Sequence, residues 1–224
     1  MIKIYNLRAM YTYENKGFRF LPKKLIILTL DVFDRFSLVL VRARIHPNLL
    51  SLLGLVAGFL VGLFFALRKP GLALIFLIIC GMMDILDGKV AVNGNKKSAF
   101  GAVFDSSLDR YSEFAIYLGL GFYYGYHWML LVLAIAFFGS SMVSYTKARA
   151  ESLGIKCQLG IMQRAERMVL LMFGTLAGII FNRFDQIIAA VIILTAAASH
   201  LTTWQRIIYV RQEEKRKTQT KTLN

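Results

Sequence analysis

The chain has 224 residues, of which 57% are hydrophobic and only 18% charged, with a mean hydropathy of +0.55. This apolar excess is more than a water-soluble core requires, and it leaves an integral membrane protein. A formal charge of +14 suits anionic lipid headgroups and phosphate-bearing ligands, and nucleic acid is the weaker reading because no soluble domain exists to present the charge.

In chain order, residues 1–20 are polar and short. The stretch "LPKKLIILTLDVFDRFSLVLVRARIHP" then alternates apolar faces with Lys23, Lys24, Asp31, Asp34, Arg35, Arg42 and Arg44. That pattern predicts an amphipathic helix lying along the inner membrane interface. Charges through its middle and the lack of a small-residue cleavage site argue against a cleaved signal. Six apolar stretches of membrane-crossing length follow at 49–67, 71–88, 105–126, 128–148, 165–182 and 184–209. The expected fold is therefore an all-α membrane protein with six transmembrane helices plus the N-terminal interfacial helix. Three parts are expected: an N-terminal cytoplasmic segment (1–48), a six-helix domain (49–210) and a basic tail (211–224), "RQEEKRKTQTKTLN", loose in the cytosol.

Lys and Arg set the orientation, since they concentrate on the cytoplasmic side. With the N-terminus inside, only Arg68, Lys69 and Arg183 of the 27 fall outside. Both termini and the segment Asp84 to Asp109 then face the cytoplasm. The aromatic run "GFYYGYHWM" falls at the outer interface, where Trp and Tyr belts are expected. Cys80 and Cys157 give no disulfide or metal framework, and no internal repeat is present.

The segment "DILDGKVAVNGNKKSAFGAVFDSSLD" carries four carboxylates beside strongly apolar sequence. Asp84 and Asp87 are three residues apart and Asp105 and Asp109 four, so each pair projects from one face of a helix. Lys89 and Arg110 are too few to neutralise a converged cluster. Hard divalent cations answer the need, because carboxylate-rich sites suit magnesium, manganese or calcium, and the absence of clustered His and Cys argues against zinc. Gly88 and Gly101 allow a ligand to approach the backbone beside the acids; small-residue helix packing is the competing reading.

The spacing resembles the signature of the CDP-alcohol phosphotransferase family, D-x2-D-G-x2-A-R-x8-9-G-x3-D-x3-D, matched by Asp84, Asp87, Gly88, Ala91, Gly101, Asp105 and Asp109. One position departs: the family's arginine is Val92, with Lys89 nearby as a candidate replacement charge. The resemblance implies a six-helix, usually dimeric bundle that transfers a lipid phosphate from a CDP-linked lipid to an alcohol, releasing CMP. It implies that Asp84, Asp87 and Asp105 hold two divalent cations, Mg2+ or Mn2+, with Asp109 as general base and a further metal contact. "RIHPNLLSLLGL" resembles the family's P-N-x-x-[ST] element, which turns Asn48 and Ser51 toward the diphosphate along with Gly88, Ala91 and Gly101; a plain helix cap accounts for Asn48 and Ser51 equally well. His46 is assigned no role.

The wording of "SYTKARAESLGI", "GIMQRAERMVLL" and "TTWQRIIYVRQ" resembles the phosphatidylinositol-phosphate synthases of that family. This implies a phosphorylated inositol as acceptor, its phosphate held by Lys147, Arg167 and Arg206, with Arg164 as an additional contact. Ser106, Ser107 and Glu113 extend the same polar face with no independent role. Two alternatives stay open: another acceptor such as glycerol phosphate, serine or a choline-type alcohol, and a divalent-cation transporter whose acids form an ion path.

Overall fold

The computed structural model describes residues 23–125 and 128–222. The polar start of the N-terminal segment, the centre of the aromatic run and the last two residues lie outside them. Among the described residues the chain is all helical. The order is α1 (Lys23–Arg42), α2 (Pro47–Ala66), α3 (Pro70–Asn93), α4 (Ala99–Tyr124), α5 (Met129–Ser152), α6 (Arg164–Ile180) and α7 (Phe184–Thr222).

Each expected apolar stretch lies on a helix of its own. Helices α2, α3, α5 and α7 are long and apolar enough to cross a membrane by length and composition. The other two differ for a visible reason: α4 carries Asp105, Asp109, Arg110 and Glu113, and α6 has only 17 residues and opens on Arg164, Glu166 and Arg167. Large apolar side chains remain exposed on the outer faces, Phe59, Phe122 and Phe138 among them, as lipid-facing helices require.

Local signals place the helix starts. Pro47 and Pro70 stand in the first turns of α2 and α3, where the missing N–H costs no helical hydrogen bond. His46, assigned no role from sequence, caps α2 by accepting from the Asn48 backbone N–H through Nδ1 at 3.3 Å. The cap is therefore His46, which leaves the Asn48 and Ser51 side chains for other work. The Ser98 hydroxyl caps α4 by accepting from the Gly101 N–H at 2.9 Å.

Helices α2 and α4 approach very closely. A Cβ on Gly58 would overlap Ser112, one on Gly62 the Ala115 carbonyl, and one on Gly119 the Gly62 carbonyl. This small-residue seam locks the two helices that flank the acids. The main apolar core lies toward the far end of α2, where Val61 and Phe65 pack with Leu77, Ile116, Leu120 and Ile188. A second cluster joins Leu50, Leu86 and Val90 to Phe33, Leu40 and Val41 of α1. The tail expected to be loose instead continues α7 as helix to Thr222. Its Gln, Glu, Lys and Arg are good helix formers, and Glu213 pairs with Arg216 one turn on at 2.9 Å.

Candidate active site

All four aspartates, with Arg164, line one small recess of about 10 Å³ between α2, α3, α4 and α6. Asp84, Asp105 and Asp109 each offer a carboxylate oxygen within 4.8 Å of the others. Asp87 is buried, and its Oδ2 accepts a hydrogen bond from the Ser51 hydroxyl at 2.7 Å. Ser51 thus holds one carboxylate oxygen of Asp87 in place. The four carboxylates offer oxygen ligands, which suit hard divalent cations, and the Cys80 sulfur that also lines the recess lies against the Ser112 hydroxyl at 3.5 Å.

A cavity of about 450 Å³ adjoins the recess and shares Ser51, Asp87 and Asp105 with it. Pro47, Asn48, Gly88, Ala91 and Gly101 line it too. Every nucleotide-site residue expected from the sequence therefore lines this one cavity. The two glycines do different things. A Cβ on Gly88 would meet nothing within 4 Å, so its surface is open to the cavity, whereas one on Gly101 would press on the Ser98 hydroxyl at 3.0 Å.

The cations expected around an acceptor separate into two kinds. Arg164 Nη1 lies 3.3 Å from Asp84 Oδ1 and is also paired with Asp109, so it lines the acidic recess with them. Lys147 is half exposed and 4.0 Å from Glu151. Arg167 and Arg206 are buried and their donors are engaged by the protein. Arg167 bonds Glu113 and the Met162 carbonyl, and Arg206 donates to the carbonyls of Leu159 at 2.7 Å and Val143.

Two features went unread in the sequence. Glu113 was given no independent role, yet it is buried and gathers Arg167, Arg110 and the Ser140 hydroxyl. A carboxylate in the middle of an apolar run demands a buried partner, and that was the available signal. Lys89, the candidate replacement for the family arginine, is turned away. Its Nζ pairs with Asp34 of α1 at 3.2 Å, and Asn93 also donates to Asp34 at 3.0 Å.

A model of the CDP-alcohol phosphatidyltransferase family matches residues 44–210. The chain belongs to the CDP-alcohol phosphatidyltransferase family. Within that family it is 43% identical over 137 residues to an archaetidylinositol phosphate synthase of Methanothermobacter thermautotrophicus, covering 60% of this chain and 67% of that protein. It is 34% identical over 196 residues to a phosphatidylinositol phosphate synthase of Streptomyces avermitilis, covering 81% and 79%. The crystal structure of the Mycobacterium tuberculosis phosphatidylinositol phosphate synthase with CDP-DAG bound superposes with a TM-score of 0.71. It shares 27% identity, and the match covers 80% of this chain and 94% of that one. The same Mycobacterium tuberculosis enzyme has also been solved in complex with manganese and citrate. Membership makes the chain a membrane transferase dependent on divalent cations, and the aspartate recess is the part of it suited to hold them.

Proposed function

We propose that the protein transfers the lipid phosphate of a CDP-linked lipid to a hydroxyl of inositol phosphate, releasing CMP. The observation that carries this reading is the convergence of four carboxylates in one recess beside a cavity of about 450 Å³. The relatives named above differ in their lipid, archaetidyl in one and phosphatidyl in the other, but share inositol phosphate in their names. That agreement favours this acceptor over glycerol phosphate, serine or a choline-type alcohol.

Asp84, Asp87, Asp105 and Asp109 would hold two divalent cations, which supply charge neutralisation of the diphosphate and of the departing CMP. The remaining work falls to the chain. Asn48, Ser51, Gly88, Ala91 and Gly101 form the wall on which the diphosphate rests, and Ser51 fixes the orientation of Asp87. Asp109 accepts the proton of the attacking hydroxyl. The hydroxyl oxygen bonds to the lipid-linked phosphorus, the bond from that phosphorus to the CMP oxygen breaks, and CMP leaves with the electron pair. Transfer is direct, without a covalent enzyme intermediate. Lys147 and Arg164 hold the acceptor's phosphate, a role supported for Lys147 by its partly exposed side chain, while Arg167 and Arg206, engaged by the protein, add fixed positive charge.

This reading includes six membrane-crossing helices in the domain 49–210, an N-terminal segment 1–48 whose α1 lies along the inner interface, and a basic tail at 211–224. Both termini and the aspartate recess face the cytoplasm, supported by the confinement of all but Arg68, Lys69 and Arg183 to one side. The working unit is a homodimer.

Purified protein is supplied with a CDP-diacyl or CDP-archaeal lipid and a panel of alcohols, and CMP is counted. Release with inositol phosphate above all other acceptors is the expected result. Release with glycerol phosphate instead changes the acceptor, and no metal-dependent CMP release with any pair ends the proposal.

A further inference from the structure

The lining of the cavity beside the aspartates includes a segment that the family signature does not account for. It is the connection between α3 and α4, where Lys96, Lys97 and Ser98 face the same space as Asp87 and Asp105. Val92, which stands where the family carries arginine, does not line this cavity, and Lys89 is held by Asp34. The cations of the cavity wall are therefore Lys96 and Lys97.

Their backbone is fixed at both ends. Asn95 takes a positive φ of 56°, the Lys96 N–H donates to the Ala91 carbonyl at 2.9 Å, and α3 closes in a Schellman-type turn. Immediately after Lys97, Ser98 caps α4. Two residues between two closed helix ends have little freedom, so a ligand gripped there orders little further chain. The two side chains differ. Lys96 is half-buried and its Nζ reaches the Ile45 carbonyl at 3.5 Å, while Lys97 is exposed and makes no hydrogen bond or ion pair among the described residues.

Resting on the proposed reaction, we infer that Lys97, backed by Lys96, grips the phosphate oxygens of the CDP moiety in the cavity that it lines together with Asp87 and Asp105. The pair takes over the nucleotide-end charge that Val92 cannot supply. The chemistry is that of an ammonium donor on a nucleoside diphosphate: the aspartates need cations to accept phosphate, whereas the lysines accept it directly. Removing Lys97 therefore weakens any ligand carrying a diphosphate and leaves the aspartates' own cation affinity alone.

The test uses the full chain in detergent with manganese present, and titrates CDP and cytidine calorimetrically. Lys97→Ala is expected to weaken CDP about tenfold, the loss of one charge-assisted contact. Lys96→Ala/Lys97→Ala should weaken it further and Lys97→Arg should restore it, with cytidine binding and the Mn2+ titration by electron paramagnetic resonance unchanged. A folded double variant that binds CDP as the parent does overturns the inference, and it leaves the reaction standing if the parent still releases CMP from a CDP-lipid. A parent that binds no CDP overturns both.

Discussion

Arg167 and Glu113 form a buried two-point ion pair, Nε to Oε1 at 2.9 Å and Nη2 to Oε2 at 3.3 Å, joining α6 to α4 one turn beyond Asp109. Arg110 stands 3.6 Å from the same carboxylate and Ser140 donates to it. Removing one partner strands the other charge inside the bundle, which costs about 3–5 kcal/mol. Glu113→Ala is therefore expected to lower the midpoint of thermal unfolding in detergent sharply. Glu113→Leu/Arg167→Met, which removes both charges of the pair at similar volume, should recover part of the loss, with Arg110 left without this carboxylate. Equal damage from single and double variants would show that the pair is not the unit.

The two classes of glycine give a second contrast. Gly88 faces open cavity, and Gly119 is pressed on the Gly62 carbonyl. Gly88→Leu should fold at least as well as the parent, because leucine favours helix over glycine by about 1 kcal/mol, yet block the cavity and weaken CDP by about a hundredfold. Gly119→Ala should leave the cavity open and destabilise the fold by about 1–3 kcal/mol through overpacking. Thermal unfolding and CDP titration on the same two variants separate these outcomes.

The acids were legible in the sequence because their spacing needs nothing but a helix to become geometry: residues three and four apart share a face wherever that helix sits. The six apolar helices were legible for a similar local reason. What the sequence did not disclose depends on contacts between distant segments. Lys89 is a candidate replacement for the missing arginine by sequence, but α1 folds back over α3 and brings Asp34 to it, a placement that no local pattern encodes. Glu113 meets its arginine 54 residues away in the chain, so its role follows from where α6 is held, against α3 and α7. The tail misled in another way. Its polarity said solvated, and its propensity for helix was the stronger local fact.

Asp109 has its carboxylate in the acidic recess, paired with Arg164. In the proposed role of acceptor of the hydroxyl proton it should control the chemical step more than binding. Asp109→Asn keeps an oxygen ligand and the shape but loses the base, so kcat is expected to fall by about 10²–10⁴ while donor KM moves only a few-fold. CMP release at saturating donor and acceptor measures this. A variant whose KM for the donor rises with kcat preserved would place Asp109 in binding alone.

Neither cysteine is available to solvent. Cys80 and Cys157 are free and buried, and in the connection between α5 and α6 burial pushes the Cys157 thiol above its ordinary value, against the opposing pull of Arg206. A raised thiol carries less thiolate at neutral pH and reacts more slowly. Maleimide labelling of the folded protein at pH 7 should therefore be slow at both positions and complete after denaturation. Rapid labelling of Cys157 in the native protein would mean that the connection opens.

Arg164 holds the same carboxylates that cations need, with Nη1 3.3 Å from Asp84 and a pairing to Asp109. A guanidinium and a divalent cation repel at that range, so the arginine should set the cation affinity of the recess besides its proposed contact with the acceptor. Arg164→Ala is expected to tighten Mn2+ by about tenfold in an electron paramagnetic resonance titration of the free protein, and to raise the acceptor's KM in the CMP assay. Chelation should abolish CMP release from parent and variant alike, with the variant requiring more chelator. Weaker Mn2+ binding in the variant would reverse the argument, since it would mean that the arginine orders Asp84 and Asp109 for the metal instead of competing with it.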